Sequence, residues 1–270
     1  MRFYDTHTLC REGRNLSTPF GLKVTAGEET FELTCTQILR HLPGKRLVCF
    51  ALWQHTTPVV VKIFLDPIGA KRHYRRELQG ILSLQAAHIA TPELLFQGRL
   101  TEGGAPLLIT QKMEELAELG ECLANTGKDE ERLAVLRPVV ATIAHLHAAG
   151  LRQRDIHLGN FLVSGVEVLV IDGGDILSAC NRPLSDRQSL SNLSLFFAQF
   201  TPRYDAMVPE LMALYACERS WACSAGMIRT VIQKVQHWRT RREGDFLRKN
   251  QALLHSLYRP KVMAPFHRRR

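Results

Sequence analysis

Residues 154–163 read Arg154-Asp155-Ile156-His157-Leu158-Gly159-Asn160-Phe161-Leu162-Val163, and this run decides how the rest of the chain is read. An aspartate stands five residues before an asparagine, in a turn that leads into an apolar strand. The aspartate can accept a proton from an attacking hydroxyl, and the asparagine oxygen can hold a metal ion on a nucleotide. Twelve residues beyond Asn160 comes Asp172, at the end of the strand pattern Leu169-Val170-Ile171 and before Gly173-Gly174-Asp175. A second metal ligand is needed at such a strand end. Together the two segments describe a phosphoryl-transfer site.

Working outward, Val59-Val60-Val61-Lys62-Ile63-Phe64 places one lysine in an otherwise apolar strand. A buried ammonium is costly unless paired. Glu77, on the helix that follows, is the expected partner, and such a pair holds the lysine against the α/β-phosphates of a nucleotide. The competing reading is a solvated helix face, because Lys71-Arg72-His73-Tyr74-Arg75-Arg76 precedes Glu77. Asp155 is the expected base, and Asn160 and Asp172 are the expected Mg²⁺ ligands, magnesium preferring a few hard oxygens. His157 is expected to order the loop, Arg154 to neutralise charge, and Asp175 to serve the turn. A hairpin over the triphosphate usually brings several glycines. Here Pro43-Gly44-Lys45-Arg46 has one, so Gly44 and Lys45 are the expected ATP contacts, with the side-chain charge of Lys45 and Arg46 compensating and a solvated basic hairpin as the competing reading. The base is expected near Gln111-Lys112-Met113-Glu114-Glu115, with Met113 in contact. The reading is an ATP-dependent kinase with ATP and Mg²⁺ as cofactors.

The flanking pattern is α+β. Residues 1–30 are polar and weakly patterned. Strands are predicted over 31–39, 47–53 and 59–64, and a helix from Asp66-Pro67 to about Leu84. Two further strands at 94–96 and 107–110 complete a small, mostly antiparallel sheet carrying one helix. Beyond Met113, Leu133, Leu136, Val140, Ile143 and Leu146 recur at helical spacing up to Gly150, a C-cap signal, and Pro138 is expected to kink that helix or mark its start. Helices are also predicted over 190–200, 208–215 and 228–238. The expected division is 1–112, an N-lobe with the sheet and the Glu77 helix, and 113–270, a mainly helical C-lobe, in one two-lobed domain.

At 270 residues the chain can bury one sizeable core. Its 45% hydrophobic and 23% charged content reads as soluble and globular. No stretch approaches the roughly 18–20 apolar residues of a membrane span, and Met1-Arg2-Phe3-Tyr4-Asp5-Thr6-His7 lacks a signal-peptide core. Seven cysteines without a CxxC pair suit a reducing compartment, so the expected location is cytoplasmic. The net charge of +9 is concentrated: residues 227–270 carry twelve Lys or Arg against Glu243 and Asp245, a net +10. This points to an anionic partner. Residues 227–238 have an apolar and a basic side, which suits an interfacial helix, with a solvated C-lobe helix as the alternative. Nucleic acid is the weaker candidate, because aromatic interleaving is sparse (Trp238, Phe246, Tyr258).

These residues resemble the bacterial lipopolysaccharide kinase family, from about Cys35 to Ile176. The resemblance is carried by Leu42-Pro43-Gly44-Lys45-Arg46, the Lys62 strand, Tyr74-Arg75-Arg76-Glu77-Leu78, His147-Ala148-Ala149-Gly150-Leu151 running into Arg154-Asp155, and Ile171-Asp172. It implies a protein-kinase-like two-lobed fold, use of Mg-ATP, and phosphorylation of a heptose or Kdo sugar of the lipid-linked inner core. It also implies peripheral attachment at the cytoplasmic face of the inner membrane, where the basic C-terminal region meets an anionic surface. Gln153 stands where the family has a histidine before Arg-Asp, and Gly173-Gly174 stands where protein kinases have Phe-Gly. The short connection after Asp172 fits a small-molecule acceptor better than a protein. A protein Ser/Thr or Tyr kinase and a membrane-associated pseudokinase scaffold are the alternatives. The Asp155–Asn160 run is also similar to aminoglycoside and choline phosphotransferases.

Overall fold

The computed structural model describes residues 1–12, 15–179 and 182–257, those from 242 onward as backbone alone. A short helix α1 (Thr6–Glu12) precedes strands β1 (Phe20–Ala26), β2 (Glu29–Leu42), β3 (Arg46–Trp53) and β4 (Thr57–Phe64). Helix α2 (Ala70–Ala86) follows, then β5 (Leu94–Leu100) and β6 (Pro106–Gln111). The six strands close into an antiparallel barrel in the order β1-β2-β3-β4-β6-β5, completed where Val24 of β1 pairs with Leu100 of β5.

Side-chain alternation explains the barrel. Leu47, Cys49 and Ala51 of β3 and Val59, Val61 and Ile63 of β4 are buried in its interior. The opposite phase, Arg46, Val48 and Phe50 with Val60 and Lys62, is only half-buried and lies on the outer face. The barrel therefore contains one strand, β1, beyond the five expected from Phe31 onward. Phe20, Leu22 and Val24 are buried strand residues of β1, whose alternation Gly21 and Lys23 disguise in the sequence. Pairing β1 to both β2 and β5 removes the exposed edges that a five-stranded sheet would leave. In β2, register shifts between Cys35 and Gln37 and between Ile38 and Arg40 mark two bulges, which bend a strand and re-aim its side chains.

The remaining elements are β7 (Ala117–Glu118), α3 (Leu119–Ala124), α4 (Asp129–Ala148), β8 (Leu151–Gln153), β9 (Phe161–Ser164), β10 (Glu167–Val170), β11 (Ile176–Ser178), α5 (Asp186–Phe197), α6 (Val208–Glu218) and α7 (Ala225–Leu257). Short 3-10 turns lie at Leu158–Asn160 and Gly173–Asp175. Helix α4 begins at Asp129-Glu130-Glu131, whose carboxylates favour a helix N-terminus. Pro138 is therefore interior to the helix and does not mark its start. Gly150 follows at φ 75, the left-handed residue expected after a helix end. Leu136, Val140, Ile143 and Leu146 pack into one core with Phe196, Leu211, Met212 and Tyr215.

Helix α7 joins the same core through Val231 and Val235, with Ile228, Ile232 and Trp238 packed against it. The apolar side of residues 227–238 is thus taken up inside the protein. Residues 258–270 of the basic tail lie outside the described residues, as does Cys180. The other six cysteines are free thiols. Among the described residues no helix is long and apolar enough to cross a membrane.

Candidate active site

Lys62 lies on the outer face of β4, a strand flanked by β3 and β6, so it is not an edge residue. Helix α2 presents a buried stripe of Glu77, Gly80, Ile81 and Leu84 towards it, at the i, i+3, i+4, i+7 spacing of one helix face. The cations at Lys71, Arg72 and Arg75 fall on the exposed face. Glu77 is therefore not a solvated charge-balancing residue. The Lys62 Nζ sits 2.6 Å from Glu77 Oε1 and 2.9 Å from Asp172 Oδ1. One ammonium serves two carboxylates. Burial pushes the Glu77 carboxyl above its ordinary range, against the pull of Lys62. Burial would raise Asp172 as well, but Lys62, with Arg46 further off, outweighs it and holds the group down to about 2.

The Asp172 turn is fastened to α2. Glu77 accepts hydrogen bonds from the backbone N–H groups of Gly173 and Gly174, each at 3.1 Å. Arg76 donates to the Gly174 carbonyl and reaches Asp175 Oδ1 at 3.3 Å. Asp175 also receives Arg154 Nη2 at 2.6 Å, so this aspartate links the turn, the helix and the loop. Two glycines make the approach possible. A Cβ on Gly80 would fall within the Gly173 carbonyl, and one on Gly173 would lie 2.6 Å from the Glu77 carbonyl oxygen. The turn backbone therefore lies directly on the helix.

The loop after β8 is pinned from below. Asn160 Nδ2 donates to the Asp155 carbonyl at 2.8 Å, which leaves its Oδ1 as the end for a cation. The Asn160 carbonyl accepts from Ile171 N at 2.9 Å, bringing Asn160 beside the Asp172 turn. Gln153 donates from Nε2 to the Ile171 carbonyl at 3.0 Å, so it supports the site despite replacing a histidine. Its own carbonyl accepts from Asn192 Nδ2 at 2.9 Å. Asn192 Oδ1 meets His147 Nε2 at 3.0 Å, and His147 Nδ1 meets Tyr215 Oη at 2.8 Å. Arg219 donates to the same Tyr215 oxygen, so the tyrosine O–H is directed to Nδ1 and the histidine carries its proton on Nε2. Burial drives His147 down to about 4, keeping it neutral. Asn192 is a support that the sequence motifs do not mark, and His147 lies in the 147–151 run without a role assigned to it there.

A cleft of about 570 Å³ runs between the barrel face and this loop, within the range of small-ligand sites. Its lining is ordered by strand register. Arg46 comes first along β3, Val48 lies opposite Lys62, and Phe50 lies opposite Val60. The charged end thus holds Arg46, Lys62, Glu77, Asp172 and Asn160, while Val48, Phe50, Val60 and Leu108 give the cleft its apolar part. Met113 is among the lining residues. Gly44 and Lys45 are not among the lining residues, whereas Arg40 and Arg46 are. His157 and Gly159 also line the cleft, and Asp155 stands exposed just outside it. Among the described residues no group of three His, Cys, Asp or Glu could hold a metal. The oxygens of Asn160 and Asp172 fit magnesium, which keeps several waters and needs few protein ligands.

A search of curated proteins finds no match for this chain. Residues 59–192 do match a family model, described as the lipopolysaccharide kinase (Kdo/WaaP) family. The matched segment opens on the Lys62 strand and closes at Asn192, so it contains Glu77, Asp155, Asn160 and Asp172. Its members are phosphotransferases acting on sugar hydroxyls. Through this segment, with its paired lysine and its Asp155–Asn160 loop, the chain belongs to the lipopolysaccharide kinase (Kdo/WaaP) family and is a kinase with an alcohol acceptor.

Proposed function

We propose that this protein transfers the γ-phosphate of ATP to a hydroxyl of a heptose or Kdo sugar in the lipopolysaccharide inner core. The observation that carries this reading is the Lys62 ammonium bridging Glu77 and Asp172 at the charged end of a cleft that also has an apolar part. The adenine lies on Val48, Phe50 and Val60 near Met113, and Lys62 contacts the α/β-phosphates. Residues 1–112 then form the N-lobe and 113–270 the C-lobe of a protein-kinase-like domain, with the nucleotide between them.

Asp155 accepts the proton of the acceptor hydroxyl as its oxygen bonds to the γ-phosphorus. The bond from that phosphorus to the β–γ bridging oxygen breaks, and ADP leaves. Asn160 and Asp172 would hold a magnesium ion, which would supply neutralisation of phosphate charge. Only residues 173–185 separate Asp172 from α5, and this short connection supports a non-protein acceptor. The basic C-terminal region is suited to an anionic inner-membrane surface, placing the protein peripherally on the cytoplasmic face.

The test is ADP release with purified lipid A-core oligosaccharide, joined to mass spectrometry of the product. Wild type adds one phosphate, and Asp155→Ala loses activity by about 10²–10⁴-fold. Equal turnover by the variant would sink the assignment. Label transfer from ATP to protein but not to the oligosaccharide would favour a protein kinase.

A further inference from the structure

We propose that Arg40 and Arg46 form a guanidinium clamp on the polyphosphate of the bound nucleotide, in place of a glycine-rich backbone cradle. The inference rests on the nucleotide reading above and deepens it.

The backbone of the β2–β3 turn is poorly equipped to bind phosphate. Pro43 has no N–H, and Lys45 N donates to the Leu42 carbonyl at 2.9 Å within the turn itself. Gly44 keeps its N–H, but it does not line the cleft. Side chains take over the role. Arg46 occupies the same strand face as Val48 and Phe50, one pleat nearer the charged end, and Val48 is the direct partner of Lys62. The bulge between Ile38 and Arg40 turns both Leu39 and Arg40 to the cleft mouth.

Neither guanidinium makes a side-chain hydrogen bond or ion pair with another described residue. Their donors are open to a ligand, whereas Lys62 at the same end is shared by two carboxylates. A guanidinium offers five donors in a fork that matches phosphate oxygens, so two of them supply what the turn amides cannot. Arg46 lines the same cleft as Lys62, Asp172 and Asn160, which puts it at the charged end. Both arginines precede the matched segment, which begins at residue 59, so membership of the family does not assign them.

Titration calorimetry of the full chain with Mg-ATP, ADP and adenosine tests the clamp, using Arg40→Gln, Arg46→Gln and the double variant. The double variant is expected to bind ATP about ten- to a hundred-fold more weakly, ADP by a smaller factor, and adenosine unchanged. Unchanged adenosine binding also reports that the variants are folded. ATP affinity within about two-fold of wild type in the double variant overturns the clamp. So does a rise confined to the KM of the acceptor, which would assign the arginines to acceptor charge. A wild type that binds adenosine and ATP equally well overturns it too. A wild type that binds no nucleotide at all overturns the kinase reading itself, a distinguishable failure.

Discussion

The two walls of the cleft handle charge in opposite ways. On the α2 side every charged group is engaged: Lys62 with Glu77 and Asp172, Glu77 with two turn amides, and Arg76 and Arg154 with Asp175. On the hairpin side Arg40 and Arg46 face the same space with no such partners among the described residues. The first wall is assembled before any ligand arrives, as groups that must meet a transition state within a fraction of an ångström have to be. The second is a set of open donors on a bulged hairpin, organised by what binds. Rigidity here belongs to the residues of the chemistry and adaptability to those of recognition.

The largest effect is expected from Lys62→Met, which leaves Glu77 and Asp172 facing each other without a cation. Breaking a buried pair costs about 3–5 kcal/mol. Glu77 is already pushed above the usual carboxylate range, so it takes up a proton as pH falls and relieves the repulsion. Denaturant unfolding should therefore show a larger loss relative to wild type at pH 7.5 than at pH 5. An equal loss at both would mean that repulsion is not what the lysine relieves.

The floor beneath both walls can be tested through His147. Its native pKa of about 4 lies below the ordinary 6.5, so its contribution is fully present above pH 6.5 and is lost as pH falls towards 4. Wild type should lose roughly 3 kcal/mol over that window relative to His147→Gln. Identical pH slopes for the two proteins would rule out the buried neutral imidazole.

The smallest pair separates the walls directly. Gly80→Ala should cost about 1–3 kcal/mol by overpacking, although alanine is the better helix former. Its turnover should fall, because the Asp172 turn is displaced. Gly44→Ala meets nothing within 4 Å and strains only φ 64, at about 1 kcal/mol. Its turnover should be nearly that of wild type. Calorimetric melting and steady-state rates on both variants decide, and the reverse ranking would break the comparison.

How legible each wall is in the sequence follows from the same contrast. Lys62, Asp155, Asn160 and Asp172 are readable because each sits in a short local pattern with a chemical purpose. Their order along the chain exposes Glu77 even beside a run of cations. Gly80 carries a usable signal, since a glycine inside a helical pattern costs about 1 kcal/mol and calls for a packing reason. The hairpin side depends on pleat phase and on bulges. A one-residue shift exchanges the faces of a strand, and nothing in residues 29–42 announces it. That is why Gly44 and Lys45 are the residues a sequence points to and Arg40 is not. Strand β1 fails for a milder reason: Gly21 and Lys23 interrupt an alternation whose other members are all buried.

Asp155 stands in the open, outside the cleft lined by Lys62 and Asp172. With Asp155 as the proposed base, the enzyme has no need to lift its acceptor out of an assembled lipid layer, because the reacting hydroxyl can meet it at the protein surface. Where the acceptor is anchored in such a layer, turnover follows its two-dimensional density. Diluting the acceptor with inert lipid, at constant bulk concentration, then slows the reaction.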